Sequence, residues 1–354
     1  VQIERLERAG ATLYCADALE VLRLLPDSSV DLIVTDPPYY RVKGLAWDRA
    51  WNTAEGFVAW IGQLADEWCR VLKPNGSLYC YASPRMAARV EVEIGKRFEV
   101  LNRIRWIKQA GWHHKAEKEA LRSFLSPWEE IIFAEHVGAD NAAKGESGYG
   151  AECDRLRGFV FEPLRAWFCV EKARLGLTNR DINLALGTAC NGSGMAGHYF
   201  KKSGAVQWEI PTRACYDKLA AMGFSRRYED LRREYEDLRR EYEDLRRPFT
   251  VTEAVPYTDV WDFKTVPHRP GKHPCEKPLD LCEHIVRASS RPGAVVLDSF
   301  CGSGAFGEAA VRSGRSFIGS DNDPHWIAQT ARRLEAIHQP PAQPGLFDAA
   351  QAAE

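Results

Sequence analysis

"AVVLDSFCGSGAFGEAAV" (294–311) decides the fold. A β-branched, apolar run stops at Asp298, glycines follow at 302 and 304, and small residues at helical spacing continue to Val311. Strand, glycine turn and helix in that order mark the ligand-binding edge of an open parallel sheet, where glycines let the backbone approach a bound group closely. Gly302, Gly304 and Gly307 also fit the spacing of a dinucleotide fingerprint, but Asp298 just ahead of them would repel a pyrophosphate. A carboxylate there suits an amine and hydroxyls. A second acid, Asp321, ends the next strand, "SFIGSD" (316–321), where it can accept both hydroxyl protons of a ribose. Together these residues describe a pocket for a nucleoside without phosphate, and S-adenosylmethionine fits it best.

Outward from this turn, the spacing predicts helices over 278–289 and 324–337. Far upstream, "ATLYCADALEVLRLLPDSSVDLIVTDPPYY" (11–40) reads as strand, short helix, strand. A helix over about 53–71 presents Phe57, Trp60, Ile61, Leu64, Trp68 and Val71 on one face, and "KPNG" (73–76) turns it into the strand "SLYCYAS" (77–83). The alternation continues through "EVLNRIRWIK" (99–108) and "WEEIIFAEH" (128–136), which predicts parallel strands with helical crossovers. The two α/β blocks flank a region of different composition and need each other to complete one sheet. The expected bounds are 1–150 for the first half, 151–250 for a helical insert, 251–338 for the second half and 339–354 for a disordered tail.

The net charge of −2 gives no global sign of a polyanionic partner, so any basic surface is local, and Lys and Arg concentrate in 96–122. Ten cysteines without metal-ligand spacing and no signal peptide suggest reduced thiols in a cytoplasmic protein with no metal site. No apolar run approaches the roughly 18 residues of a membrane span.

Within the insert, "LTNRDINLALG" (177–187) reads as an N-capped helix closed by Gly187, and "SGMAGHYFKKS" (193–203) as a second one after a turn. The pair has the form of a helix-turn-helix or of an ordinary helical hairpin, with "IPTRACYDKLAAM" (210–222) packed behind. A repeat, "YEDLRRE YEDLRRE YEDLRRP", follows from Tyr228. Tyr228, Leu231, Tyr235, Leu238, Tyr242 and Leu245 make one stripe, and Glu229/Arg233 and Glu236/Arg240 stand at i, i+4. Such a helix either packs on its own domain or forms a dimer seam.

With "DPPY" (36–39) and "FCGSG" (300–304) both in hand, the chain resembles the amino-group DNA methyltransferases, which act on adenine N6 or cytosine N4. "DPPY" precedes the insert and "FCGSG" follows it, the order of that family's β group. "HPCEKP" (273–278) resembles the family's H-P-x-x-K-P segment. The resemblance covers about 10–136 and 265–337, and implies an S-adenosylmethionine-dependent, Rossmann-like methyltransferase sheet with helices on both faces, plus a mostly helical target-recognition insert.

Residue by residue, the likeness implies catalytic roles for Asp36, Pro37, Pro38 and Tyr39. The acid and the Pro37 carbonyl would take the two amino hydrogens while the tyrosine stacks on a flipped base. It implies cofactor binding by Asp298, Phe300, Cys301, Gly302, Ser303, Gly304 and Asp321, with His273 and Lys277 bordering the pocket. Asp17 is placed either at the cofactor's adenine or in a surface turn. Pro274-Cys275 has the letters of a cytosine-C5 nucleophile but lies outside the base-binding strand tip, which argues against covalent catalysis. Expected contacts with double-stranded DNA are Lys108, Trp112, His113 and Lys115 in the basic cluster, and His198, Lys201 and Lys202 at the second insert helix. As alternatives, Trp112 is core and the helix-end residues are merely solvated. In the tail, Gln343–Phe347 ("QPGLF") resembles peptides that dock on the bacterial replication sliding clamp. Asp at the first position of "DPPY" favours adenine over cytosine. The rival classes are a DNA-binding regulator on an inactive methylase-like fold and a methyltransferase acting on RNA or protein.

Overall fold

The computed structural model describes residues 4–8, 10–42, 46–108, 119, 121–136, 160–188, 194–200, 208–245, 247–251 and 258–337, with the side chains of 46–47 and 241–245 outside that description. The chain forms two compact units, Val1–Val137 with Arg247–Glu354, and Gly138–Arg246.

The first unit is built on nine strands: β1 (Glu4–Arg8), β2 (Ala11–Cys15), β3 (Val30–Thr35), β4 (Leu72–Ala82), β5 (Phe98–Ile107), β6 (Trp128–His136), β7 (Val260–Trp261), β8 (Val295–Asp298) and β9 (Ser316–Asp321). Their order is β1-β2-β9-β8-β3-β4-β6-β5-β7. The strands of the second block are thus interleaved with those of the first. β9 runs parallel to β2, and β8 parallel to β3 through Leu32↔Val296 and Ile33↔Leu297.

Each block covers a different face of this sheet. Helices α1 (Ala18–Leu24), α2 (Ala54–Val71) and α3 (Ala87–Ile94) bury Leu22, Phe57, Ile61, Leu64, Trp68 and Val90 with Ile33, Leu78 and Ile132. From the second block α9 (Leu279–Ser289), α10 (Ala305–Arg312) and α11 (Pro324–Ile337) bury Leu281, Ile285, Phe306, Ala309, Ile327 and Leu334 with Leu13, Leu32 and Val296. The alternation of apolar side chains along β3 feeds both cores, as a central strand requires. α2 is started by Thr53, whose hydroxyl accepts from the Gly56 amide at 3.0 Å.

Two expectations need correction. The strands are not all parallel: β6 runs antiparallel to β4 (Ala82↔Glu130) and to β5 (Ile107↔Trp128). The sequence between β5 and β6 has no apolar stripe at helical spacing, and a parallel return needs a helix with a face to bury. The "KPNG" residues do not separate helix from strand either. They lie inside β4, where the pairing with β3 jumps from Val30↔Leu72 to Leu32↔Ser77. β1, α3 and β7 were not anticipated.

The second unit contains α4 (Glu162–Arg174), α5 (Asn179–Leu186), α6 (Met195–Tyr199), α7 (Arg213–Ala221) and α8 (Tyr228–Leu245) around Phe168, Trp208, Tyr216 and Leu219. α4 was not anticipated. α5 opens with a capping box between Thr178 and Asp181 and closes at Gly187, whose φ of 73° lies in the left-handed region. The second helix of the expected pair is much shorter than "SGMAGHYFKKS": α6 ends at Tyr199, and Tyr199 and Phe200 are buried in the core. Asn183 Oδ1 accepts from the Ala196 amide at 2.8 Å and ties the pair together. The first four residues of the heptad stripe are turned onto their own unit, with Leu231 and Tyr235 buried and Tyr228 and Leu238 packed beside them, while the side chains of Tyr242 and Leu245 lie outside the described residues. The i, i+4 pairs differ from expectation, since Glu229 is taken by Arg213 of α7 at 2.6 Å and Glu236 by Arg232. Exposed ion pairs exchange partners at little cost.

Candidate active site

The carboxyl ends of β3, β8 and β9 open on one cavity of about 860 Å³, lined by residues of both blocks of the first unit. Asp36–Tyr39 leave β3 on one side, and Asp298–Ser303 leave β8 on the other. The two strand tips share the cavity because β3 and β8 are neighbours in the sheet.

At the glycine turn, Gly302 (φ 45°) and Gly304 (φ 73°) take left-handed conformations. A Cβ on Gly302 would lie 3.0 Å from the His273 ring, and one on Gly304 2.7 Å from the Thr330 side chain. The turn is therefore closed behind by side chains and presents bare backbone in front. Asp298 is buried, with one oxygen accepting from the Phe300 amide at 3.0 Å. Burial pushes its carboxyl up to about 8, against that hydrogen bond. Asp321 accepts from the Gly302 and Asp323 amides, both at 3.0 Å, and burial raises it as well. Trp68 of α2 donates to Ser299 Oγ at 3.2 Å, so a helix of the first block fixes the turn of the second.

The donor set suits S-adenosylmethionine. Among the described residues no basic side chain is bonded to Asp298 or Asp321, glycine backbone leaves room between them, and Phe300, edge-on to Trp60 with centroids 5.7 Å apart, offers an aromatic face at the cavity wall. Asp17 also lines the cavity, but one of its oxygens caps α1 by accepting from Leu19 and Glu20. His273 stacks edge-on against Trp326 and accepts from the Cys275 amide at 3.2 Å through Nδ1. Burial, then Lys277, lowers it to about 4, so it is neutral at physiological pH.

Lys277 lines the cavity, yet its ammonium sits on the other acid: it bonds Asp36 Oδ2 and lies 3.2 Å from Glu129 Oε2. Glu129 was missed by the sequence reading. It is the second residue of β6, and because β6 is reversed its first residues lie at the end of the sheet where β3 and β4 finish. A strand taken as parallel would have put Glu129 at the opposite end. The signal available was the absence of a helical pattern before β6.

The expected DNA contacts fare differently. Lys108 bonds Glu129 within the cavity and sits over the Trp106 ring at 5.0 Å. The neighbouring cations Lys96, Arg97, Arg103 and Arg105 pair with Glu93, Asp66, Glu91 and Glu130. That stretch of the basic cluster is neutralised by the protein's own acids. His198 is half-buried in α6, beside Tyr199. Trp112, His113, Lys115, Lys201, Lys202 and Gln343–Phe347 lie outside the described residues. No helix among the described residues is long and apolar enough to cross a membrane.

A Rossmann-like sheet whose acid-flanked glycine turn shares a cavity with an Asp-Pro-Pro-Tyr strand tip defines an S-adenosylmethionine-dependent methyltransferase. The chain belongs to the DNA methylase family of N6/N4 amino-methyltransferases, whose model matches residues 30–332. It is 26% identical over 335 residues to the DNA adenine methyltransferase YhdJ of Escherichia coli (strain K12), covering 94% of this chain and 85% of that one. It is 21% identical to the type II methyltransferase M.HpaI of Haemophilus parainfluenzae, covering 92% and 74%. Among solved structures, the cytosine-N4-specific PvuII DNA methyltransferase shares the fold with a TM-score of 0.52 at 14% identity, covering 96% of this chain and 92% of that one.

Proposed function

We propose that this DNA methyltransferase modifies the exocyclic N6 of adenine, and that Asp36 is the residue that prepares that nitrogen. The observation that carries the reading is an acid, and not a serine, at the first position of the Asp-Pro-Pro-Tyr tip, in one cavity with Asp298 and Asp321. Similarity to a relative described as a DNA adenine methyltransferase supports the same base.

The amino nitrogen of adenine is a weak nucleophile because its lone pair is delocalised into the ring. Asp36 accepts one amino hydrogen and the Pro37 carbonyl the other, which draws the lone pair out of conjugation. Pro37 and Pro38 fix φ and carry no backbone donor, so the carbonyl keeps its direction. Tyr39 supplies an aromatic surface for a base that has left the duplex stack. Asp298 holds an ammonium and Asp321 a pair of ribose hydroxyls. S-adenosylmethionine bound there supplies an electrophilic methyl group, and the protein's part is positioning and electrostatics. The second unit, 138–246, is assigned the reading of target sequence.

Nucleoside mass spectrometry on DNA from cells expressing the protein tests this directly, with long-read sequencing to give the context. N6-methyladenine is expected, reduced at least ~100-fold by Asp36→Ala. N4-methylcytosine in its place would overturn the base assignment, and modification persisting in the variant would overturn the role of Asp36.

A further inference from the structure

Four charged side chains stand in a row at the tip of β3: Asp36, Lys277, Glu129 and Lys108, each bonded to the next. Lys277 is only 5% exposed, and its ammonium lies 4.6 Å from the Tyr81 ring centroid and 6.0 Å from that of Tyr39. Asp36 Oδ1 and the Tyr39 hydroxyl are buried; Tyr39 lies within interaction range of Asp36, but neither atom has a hydrogen bond of good geometry among the described residues. Stability does not account for such a row. Taking charges out of water is costly, and an apolar group of the same volume is often as stable or more so. The row's chemical effect falls on Asp36, the one member at the Asp-Pro-Pro-Tyr tip.

We infer that Lys277 and Glu129 are positioning residues for methyl transfer, Lys277 keeping Asp36 ionised with Oδ2 fixed and Oδ1 left as the acceptor for the base, and Glu129 anchoring Lys277 while limiting how much charge it lends. This rests on Asp36 being the acceptor of the amino hydrogen. The surroundings agree in sign. Burial raises Asp36, Lys277 lowers it, and Glu129 raises it again. Burial would also raise Glu129, but Lys277 and Lys108 bring it down to about 2. Among the described residues, the other titratable neighbours include Tyr39 and Tyr81, both held protonated by burial, Asp298 and Cys80, whose titrations feel Asp36, Cys275, which acts on Lys277 and Tyr39, and His273, which is neutral.

The two substitutions therefore act in opposite directions. In Lys277→Gln, Asp36 keeps its burial and its acidic neighbour but loses its cation, so its pKa rises and the acid limb of the kcat–pH profile moves up by roughly one to three units. In Glu129→Gln, a like charge is gone and Lys277 serves Asp36 alone, so the limb moves down. Single-turnover methylation with DNA and S-adenosylmethionine both saturating reads these shifts, and Lys277→Arg is expected to bring the profile back towards the parent. Limbs that stay in place, or that move the same way in both variants, overturn the inference. Should Lys277→Gln fail to fold, Glu129→Gln decides alone, a downward shift supporting the inference and an unmoved or raised limb sinking it. Asp36→Ala, assayed in parallel, separates the two readings: retained methylation there removes the premise, whereas its loss combined with unmoved limbs refutes only the Lys277–Glu129 role.

Discussion

Asp298 offers a buried carboxyl with one amide bonded to it, and in the free protein it titrates near 8. An ammonium bound beside it favours the ionised form, so at lower pH binding must first expel a proton. The sign is fixed: affinity for S-adenosylmethionine falls as pH drops below about 8, by roughly tenfold per unit. Above that, the ligand's own α-amino group begins to lose its proton, at about 8, and the curve turns over. Calorimetric titrations between pH 6 and 9 are expected to show this peak, and Asp298→Asn to flatten its acid side while weakening binding. Asp36, Asp298 and Asp321 were all legible in the sequence because each ends an apolar strand run just before residues with special backbone freedom or restriction. Glu129 was not, because its place depends on the direction of a strand, and the pairing of Lys277 with Asp36 and Glu129 depends on that same direction.

At the scale of elements, periodicity carried the reading wherever an apolar face is long. α2, α9, α10 and α11 fall within a residue or two of the expected limits because each lays at least two turns of apolar side chains on the sheet. α6 shows the opposite case: Gly194 and Gly197 weaken helix propensity, and the anchoring of Tyr199 and Phe200 in the core, which ends it, is a tertiary fact. The repeat helix α8 illustrates how little identical heptads say about identical surroundings. Leu231 is fully buried, whereas Leu238, at the same position of the next heptad, is only partly so, and Arg240 is largely exposed. Leu231→Ala is expected to cost about 2–5 kcal/mol, and Arg240→Ala no more than about 0.5 kcal/mol. Urea unfolding followed by circular dichroism measures both.

Over the whole molecule, the chain leaves the first unit after Val137 and re-enters it at Arg247. An ion pair between Arg247 and Glu135, with Arg247 also reaching Ser77 Oγ at 3.4 Å, brings the two crossing points within side-chain reach of each other. Such a junction tolerates exchange of what lies between. Replacing 138–246 with a short Gly/Ser linker is expected to leave a folded unit that still binds S-adenosylmethionine, measured by calorimetry, and that no longer methylates its DNA site. Loss of cofactor binding in a variant that is folded by circular dichroism would show that the second unit contributes to the pocket.

The strand order has a further consequence, for synthesis. β2 and β3 emerge early, but the slot between them belongs to β8 and β9, which are translated after the second unit. At ~5–20 residues per second, the 109 residues from Gly138 to Arg246 alone delay its filling by several seconds or more. Throughout that interval the nascent polypeptide holds two open β edges apart, a state prone to mispairing. The gap in question is the one that later becomes the floor of the methyl-donor pocket, so that pocket is the last part of the sheet to close.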